Sequence, residues 1–152
     1  MFQFSLETAL NVRARQEKVK MKEMAEKLAI RQKIVDHMEQ LDSGLATQVQ
    51  ELDHKKRAGE ISITDLKNQE AFKSYVKTKL GGLNIDLNEA DALVEEKRQA
   101  LVDASRKRKT LEILEEREKK RYEAKLARSE RMLMDEVASN LHYKNQKLNL
   151  ES

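Results

Sequence analysis

No proline interrupts the 152-residue chain, and only four glycines are present. Because proline breaks helices and glycine weakens them, this composition allows helices to continue over long stretches. Charged residues make up 38% of the chain and aromatic residues only 4%, which leaves little material for a globular core. The sequence therefore predicts long helices that bury a narrow apolar seam.

One clear break in the helical pattern falls at residues 55–60, Lys-Lys-Arg-Ala-Gly-Glu. Basic residues near a helix C-terminus complement the helix dipole, and Gly59 suits the left-handed conformation that ends many helices. Ser62 then has the chemistry of an N-cap, and Asp65 stands at the third helical position, where it completes a capping box. One helix is predicted to end here and another to begin.

Apolar residues recur along both predicted helices at the spacing of a coiled coil. In the first helix the predicted seam consists of Met24, Leu28, Arg31, Val35, Met38, Leu41, Leu45, Val49 and Leu52. In the second helix steps of 4 and 3 alternate through Val76, Leu80, Leu83, Leu87, Ala90, Val94, Lys97, Leu101, Ala104, Arg108 and Leu111. Two such helices joined by a short turn pack antiparallel.

The predicted fold is therefore all-α: two long helices in an antiparallel coiled-coil hairpin that forms a single domain over residues 1–152. The first helix is expected over about residues 5–57, the turn over about 58–61 and the second helix over about 62–145. Past Leu111 the seam register contains few apolar residues. In an antiparallel hairpin the start of the first helix lies opposite residues 113–118 of the second helix, which has no partner beyond them. The second helix should thus be longer than the first and project beyond it.

The sequence offers no chemistry for catalysis. The chain has no cysteine, its three histidines are scattered, and its glycines form no phosphate-binding loop. A thin hairpin also provides no desolvated pocket in which a carboxyl group could serve as a general acid or base. We expect no enzymatic activity, no cofactor and no metal site.

No apolar stretch approaches the roughly 20 residues that span a bilayer, and the N-terminus does not resemble a signal peptide. The absence of cysteine fits a reducing compartment. We therefore expect a soluble, cytoplasmic protein that does not insert directly into a membrane.

Two groups of residues are candidates for binding other proteins. Basic side chains follow the second helix where it is expected to be unpaired, and the candidates there are Arg106, Lys109, Arg117, Arg121, Lys125 and Arg128. These residues could attract an acidic partner or form an ordinary solvated surface.

Phe72, Tyr75 and Ile85 lie off the predicted seam, near Gly81-Gly82, and form a second candidate surface. The glycine pair itself is either a tolerated kink or a place of close approach for a partner.

Residues 106–109, Arg-Lys-Arg-Lys, also raise the alternative of nucleic-acid binding. In a basic-zipper protein the leucine zipper follows the basic segment, whereas here the seam fades and glutamates come next. We therefore expect no nucleic-acid partner.

Specific residues resemble the FliJ family, the small coiled-coil component of the flagellar type III export apparatus. At the N-terminus the resemblance lies in Phe2, Phe4, Leu6-Glu7, Leu10, Arg13 and Gln16-Glu17. In the second helix it lies in Lys97-Arg98, Leu101, Ala104-Ser105-Arg106-Lys107-Arg108-Lys109, Leu111-Glu112, Leu114, Glu116-Arg117, Tyr122, Glu130 and Asp135-Glu136.

The resemblance implies a role in flagellum biogenesis and motility. A family member engages the pore of the hexameric export ATPase, promotes its assembly and ATP hydrolysis, and contacts the export gate protein and export chaperones. It would be peripheral to the inner membrane through these protein partners. The basic residues between 106 and 128 would meet the ATPase ring, and the region around Tyr75 would meet the gate. The alternative is a generic coiled-coil spacer or scaffold that acts by dimerisation.

Overall fold

The structure, a computed structural model, describes residues 1–150, except for the side chain of Asn149. Two helices account for nearly all of it: α1 spans Glu7–Ala58 and α2 spans Ile63–Leu150. These helices have 52 and 88 residues, and the described residues contain no strand. The all-α fold with a longer second helix is confirmed, and the two helices pack against each other.

The C-terminus of α1 ends in a Schellman motif. Gly59 has a φ of 72°, the left-handed conformation that its lack of a Cβ atom allows. Its N–H donates to the carbonyl of Lys56 at 3.2 Å, and the N–H of Glu60 donates to the carbonyl of Lys55 at 3.1 Å. These two bonds satisfy carbonyls that the end of the helix would otherwise leave without a partner.

The N-terminus of α2 is closed by the predicted capping box. The Asp65 N–H donates to Ser62 Oγ at 3.1 Å, and the Ser62 N–H donates to Asp65 Oδ2 at 3.1 Å. Asp65 also pairs with Lys55 across the turn, with 3.4 Å between Nζ and Oδ1. The hydrogen bonds from Ser62, reinforced by Lys55, lower the pKa of Asp65 below its ordinary value.

The chain forms two compact units, and both helices contribute to each. One unit consists of Met1–Arg15 with Ser105–Ser152, and the other is Gln16–Ala104.

Ion pairs in the unit Gln16–Ala104 establish that its helical segments are antiparallel. Lys97 Nζ lies 3.3 Å from Glu23 Oε2, which also accepts from Lys20 at 3.2 Å. Further along, Arg31 pairs with Asp91. Partners on α2 therefore have lower numbers as the numbers on α1 rise.

Burial in this unit follows a heptad pattern on both helical segments. On α2, every predicted seam residue between Val76 and Ala104 is buried or half-buried. On α1, the buried or half-buried positions that follow one another in steps of 3 and 4 are Glu17, Lys20, Met24, Lys27, Arg31, Ile34, Met38, Leu41, Leu45, Gln48 and Leu52. Leu52, Val76 and Ala90 are the most buried, with exposed fractions of 6%, 1% and 6%.

The predicted α1 seam was wrong at two positions. Leu28 and Val49 are 42% and 40% exposed, whereas their neighbours Lys27 and Gln48 are half-buried. Lysine can bury its aliphatic stem while its ammonium reaches water, which is why Lys27 is tolerated in the seam. With Gln48 in place of Val49, the steps of 4 and 3 alternate from Leu41 through Leu45 and Gln48 to Leu52.

Gln48 is a polar seam residue whose side-chain oxygen is buried. Its Oε1 atom is buried and has no hydrogen-bond partner among the described residues. Such an atom costs about 1–3 kcal/mol because water no longer solvates it. Gln48 lies beside Leu52 and Gln69 in a cleft close to the turn.

The other unit joins the N-terminal segment to the second half of α2. Phe4 is only 6% exposed. The ring of Phe2 lies 5.8 Å from that of Tyr122, tilted by 51°. On α2 the half-buried positions Leu111, Glu115, Glu118 and Tyr122 follow one another in steps of 4, 3 and 4. The covered part of α2 thus extends to Tyr122, beyond the predicted limit near residues 113–118, because residues before α1 also pack against it.

Past Tyr122, α2 continues to Leu150, and every described side chain there is exposed. This segment contains the exposed apolar residues Leu126, Met132, Leu133, Met134, Val137, Leu141, Tyr143, Leu148 and Leu150.

Candidate partner-binding surfaces

All six basic residues predicted to meet an ATPase ring are exposed: Arg106, Lys109, Arg117, Arg121, Lys125 and Arg128. They belong to the unit that contains residues 105–150. Among the described residues, none of these six cations forms an ion pair with a carboxylate. Their charges are therefore available to an anionic partner.

Some other basic residues of the helices form ion pairs with carboxylates. Arg98 donates to Glu95 at 2.7 Å, and this contact together with Gln99 lowers the pKa of Glu95 to about 2. Lys120 pairs with Glu116 at 2.7 Å, which raises the pKa of Lys120 and lowers that of Glu116. The six candidate cations differ from these residues in lacking such a neighbour.

Four of the candidates, Arg117, Arg121, Lys125 and Arg128, follow one another at steps of 4, 4 and 3. At about 100° per residue, they fall on one face of α2, within a sector of about 80°. We call these four residues the basic stripe. Like charges at such spacings destabilise an isolated helix by a few tenths of a kcal/mol per pair.

Two members of the basic stripe lie close to the N-terminal segment. Arg121 and Lys125 line a cleft together with Phe2, Glu118 and Tyr122. The cleft therefore combines two cations and the carboxylate of Glu118 with aromatic surface.

The second candidate surface is only partly assembled. The rings of Phe72 and Tyr75 stack with 6.4 Å between their centroids and an angle of 29°. Tyr75 is 53% exposed, whereas Phe72 is half-buried, and its Cζ atom lies 3.9 Å from where a Cβ on Gly44 would stand. Ile85, 62% exposed, lies about 15 Å further along the helix and on a different side. Phe72 and Tyr75 thus form one patch, and the structure does not bring Ile85 into it.

Gly81 and Gly82 do not interrupt α2, which is a continuous helix from Ile63 to Leu150. A Cβ atom added at either glycine would meet no atom of residues 1–150 within 4 Å. The pair therefore is not required by packing within the chain.

An apolar face of α2 lies outside the predicted seam. It consists of Leu126, Leu133, Val137, Leu141 and Leu148, and we call these residues the C-terminal apolar stripe. Their exposed fractions are 48%, 60%, 55%, 56% and 57%. The register extrapolated from Leu111 passes from Tyr122 to Lys125, a step of 3 residues. The apolar face begins instead at Leu126, 4 residues after Tyr122, and therefore lies outside that register. Spacings of 7, 4, 4 and 7 along the sequence would have identified it.

A further cleft in the unit Gln16–Ala104 was also not predicted. It lies between α1 and α2, and its lining includes the apolar residues Ile30, Ile34, Ala90 and Leu93 and the acidic residues Asp86 and Glu89. Ile30 and Leu93 are 49% and 42% exposed.

Within residues 1–150 no three His, Cys, Asp or Glu side chains are grouped so that they could hold a metal ion. In the same part of the chain no helix has the length and apolarity needed to cross a membrane.

Antiparallel coiled-coil packing and exposed charged and apolar faces define an all-helical coiled-coil protein. Comparison with protein families adds its biological setting: the family model described as Flagellar FliJ protein matches residues 2–147, nearly the whole chain. The chain belongs to this family and is a coiled-coil protein of flagellar export. The family is an export component rather than a family of enzymes. No curated protein and no solved structure matches the chain.

Proposed function

We propose that the protein engages the pore of the hexameric flagellar export ATPase, promotes assembly and activity of the hexamer, and links it to the export gate and to export chaperones. It would act in the cytoplasm, peripheral to the inner membrane through these partners. Family membership supports the general role. The observation that carries the ATPase assignment is the set of six exposed basic residues without a carboxylate partner.

Electrostatics support the choice of the basic stripe. Arg117, Arg121 and Lys125 repel one another at steps of 4, and no carboxylate of the described chain forms an ion pair with any of them. An acidic surface that receives the stripe would remove the repulsion and gain charge-assisted hydrogen bonds. Such long-range attraction also accelerates association.

The exposed apolar and aromatic patch supports a separate contact. The half-exposed ring of Tyr75 stacks on the ring of Phe72. Aromatic residues of this kind are frequent anchors at protein interfaces. We assign this patch to the export gate protein, with Ile85 as an additional, separate contact. It belongs to the unit Gln16–Ala104, whereas the basic stripe belongs to the other unit.

The ATPase assignment is tested by reversing the charge of Arg117, Arg121 and Arg128 to Glu in the full-length protein. The matched control reverses three exposed lysines of α1, Lys18, Lys22 and Lys33, so that the net charge changes equally. Binding to the purified cognate ATPase and stimulation of its ATP hydrolysis are measured at two salt concentrations. We expect the arginine variant to lose at least about tenfold in affinity and the lysine variant to retain it.

Equal loss in both variants would mean that net charge, not the basic stripe, determines binding. If the unmodified protein neither binds the ATPase nor changes its hydrolysis, the proposal is wrong.

The gate assignment is tested by Tyr75→Ala, with Tyr143→Ala as control because Tyr143 is also exposed, at 71%. Tyr75→Ala should weaken binding to the cytoplasmic part of the gate protein and leave stimulation of the ATPase unchanged. Unchanged binding to the gate would show that the patch is not the contact.

A further inference from the structure

The C-terminal apolar stripe has a symmetry that a solvated surface does not require. Its spacings of 7, 4, 4 and 7 residues read the same in both directions from Val137. Leu133 and Leu141 lie four residues on either side of Val137, and Leu126 and Leu148 lie eleven residues on either side. A helix with this pattern is complementary to a second copy of itself in the opposite direction.

The charged residues within this face have the same symmetry. Glu130 and Lys144 lie seven residues before and seven residues after Val137. At about 100° per residue, both project within the sector of the apolar residues. If two copies pair antiparallel about Val137, each Glu130 faces Lys144 of the second copy. Opposite charges at mirrored positions are what a twofold-symmetric interface requires, because every contact occurs twice.

We propose that residues 126–148 of α2 form an antiparallel, twofold-symmetric dimer with a second copy of this chain. Val137 lies on the symmetry axis, Leu133 packs against Leu141 of the other copy, and the Glu130–Lys144 pairs fix the register. The paired segment is about 33 Å long. Steps of 11 residues on either side of Val137 correspond to more residues per helical turn than a heptad repeat does. The pair therefore does not have the left-handed supercoil of a heptad coiled coil.

The accessibility of these residues supports the dimer. All five apolar side chains are between 48% and 60% exposed in the single chain, although the helix they belong to is continuous. An isolated helical segment of this kind gains most of its stability from burial of one apolar face. A second copy provides that burial without any other protein.

The proposed dimer is independent of the proposed ATPase contact. Arg128 is two residues from Leu126 and therefore projects about 200° away, on the opposite side of α2. The basic stripe remains accessible when the C-terminal apolar stripe is covered.

Charge exchange in the full-length chain tests the register and the orientation together. Glu130→Lys brings two lysines together at each pair, and Lys144→Glu brings two glutamates together, so each variant alone should dimerise at least about tenfold more weakly. The double variant, and an equimolar mixture of the two single variants, should recover dimerisation. Sedimentation at a series of protein concentrations measures the dissociation constant. Glu89→Lys and Lys77→Glu are exposed controls in the other unit and should have no effect.

Cross-linking provides a second measurement, because the chain has no native cysteine. Val137→Cys should give a covalent dimer with a short bis-maleimide reagent, whereas Ser139→Cys, about 200° around the helix, should give at least about tenfold less. Helix content by circular dichroism checks that both variants fold equally.

Four results would overturn the proposal. The unmodified chain could sediment as a monomer at every concentration, the two cysteine variants could cross-link equally, or the exchanged charges could fail to restore dimerisation. Binding of the apolar stripe only to a helix of a different protein would likewise reject a second copy as its occupant.

Discussion

The ring of Phe2 packs against the ring of Tyr122, with 5.8 Å between their centroids, although 120 positions separate the two residues along the chain. Among the described side chains of α2, Tyr122 is the last that is half-buried. The contact therefore marks the end of the covered part of this helix, beside the basic residues Arg121 and Lys125.

Replacing Tyr122 with Ala should release the N-terminal segment from α2, because the ring contact with Phe2 is lost. Aromatic pairs contribute about 0.5–1.5 kcal/mol beyond burial of their area, so exchange protection at the start of α1 should fall about two- to tenfold. Hydrogen exchange of the amides of residues 7–12 measures this change. Tyr143→Ala, at an exposed tyrosine without a ring partner in the described chain, should leave these amides unchanged. Equal protection in Tyr122→Ala and the unmodified protein would contradict the prediction.

Replacing Ser62 with Ala should destabilise the hairpin by about 1 kcal/mol, because the N–H of Asp65 loses its acceptor at the start of α2. Thermal unfolding measures the effect. Ser139→Ala, in the exposed interior of α2, is the control and should change the stability by less than about 0.5 kcal/mol.

The other half of the capping box should make stability depend on pH. Hydrogen bonds from Ser62, and then from Lys55, lower the pKa of Asp65 below 3.8 in the folded protein. The unfolded state therefore binds the proton more readily than the folded state, and the contribution of Asp65 to stability is complete above pH 3.8. It is lost as the pH falls through the folded-state pKa. The difference in unfolding temperature between the unmodified protein and Asp65→Asn should accordingly shrink on acidification, and a difference independent of pH would contradict the assignment.

Gly81→Ala and Gly82→Ala should each stabilise the protein by about 1 kcal/mol, because alanine favours the helix and the added Cβ has open space. Gly59→Ala should do the opposite, since its φ of 72° is unfavourable for alanine. Urea unfolding of the three variants checks both signs. If the stabilised variants also lose binding to an export partner, close approach at the glycine pair is the reason for its presence.

Gln48→Leu should stabilise the protein by about 1 kcal/mol or more, because it replaces a buried oxygen without a partner by apolar surface. Val49→Leu, one residue further and 40% exposed, should change the stability by less than about 0.5 kcal/mol. Urea unfolding compares the two. A larger gain at position 49 than at position 48 would show that Val49, not Gln48, faces α2.

Local signals in the sequence were sufficient for the turn. The Schellman motif at Gly59 and the capping box of Ser62 and Asp65 each involve residues within a few positions of one another. Both motifs can therefore be recognised from the sequence alone. The α2 seam was also predictable, because its residues, all apolar except Lys97, follow one another at alternating steps of 4 and 3 from Val76 to Leu101. The six basic residues were predicted and found exposed, but their assignment to an ATPase remains a proposal.

Long-range packing decided the rest. Gln48 and Val49 are neighbours that differ by about 100° around α1, and only the position of α2 determines which of them enters the seam. The contact between Phe2 and Tyr122 likewise joins distant residues, so periodicity within one helix could not predict how far α2 is covered. The sequence by itself determined two long helices and the turn between them, because helix propensity and capping act over a few residues. The tertiary structure alone decided the α1 face that packs and the point at which α2 becomes exposed, because both depend on where the partner segment lies.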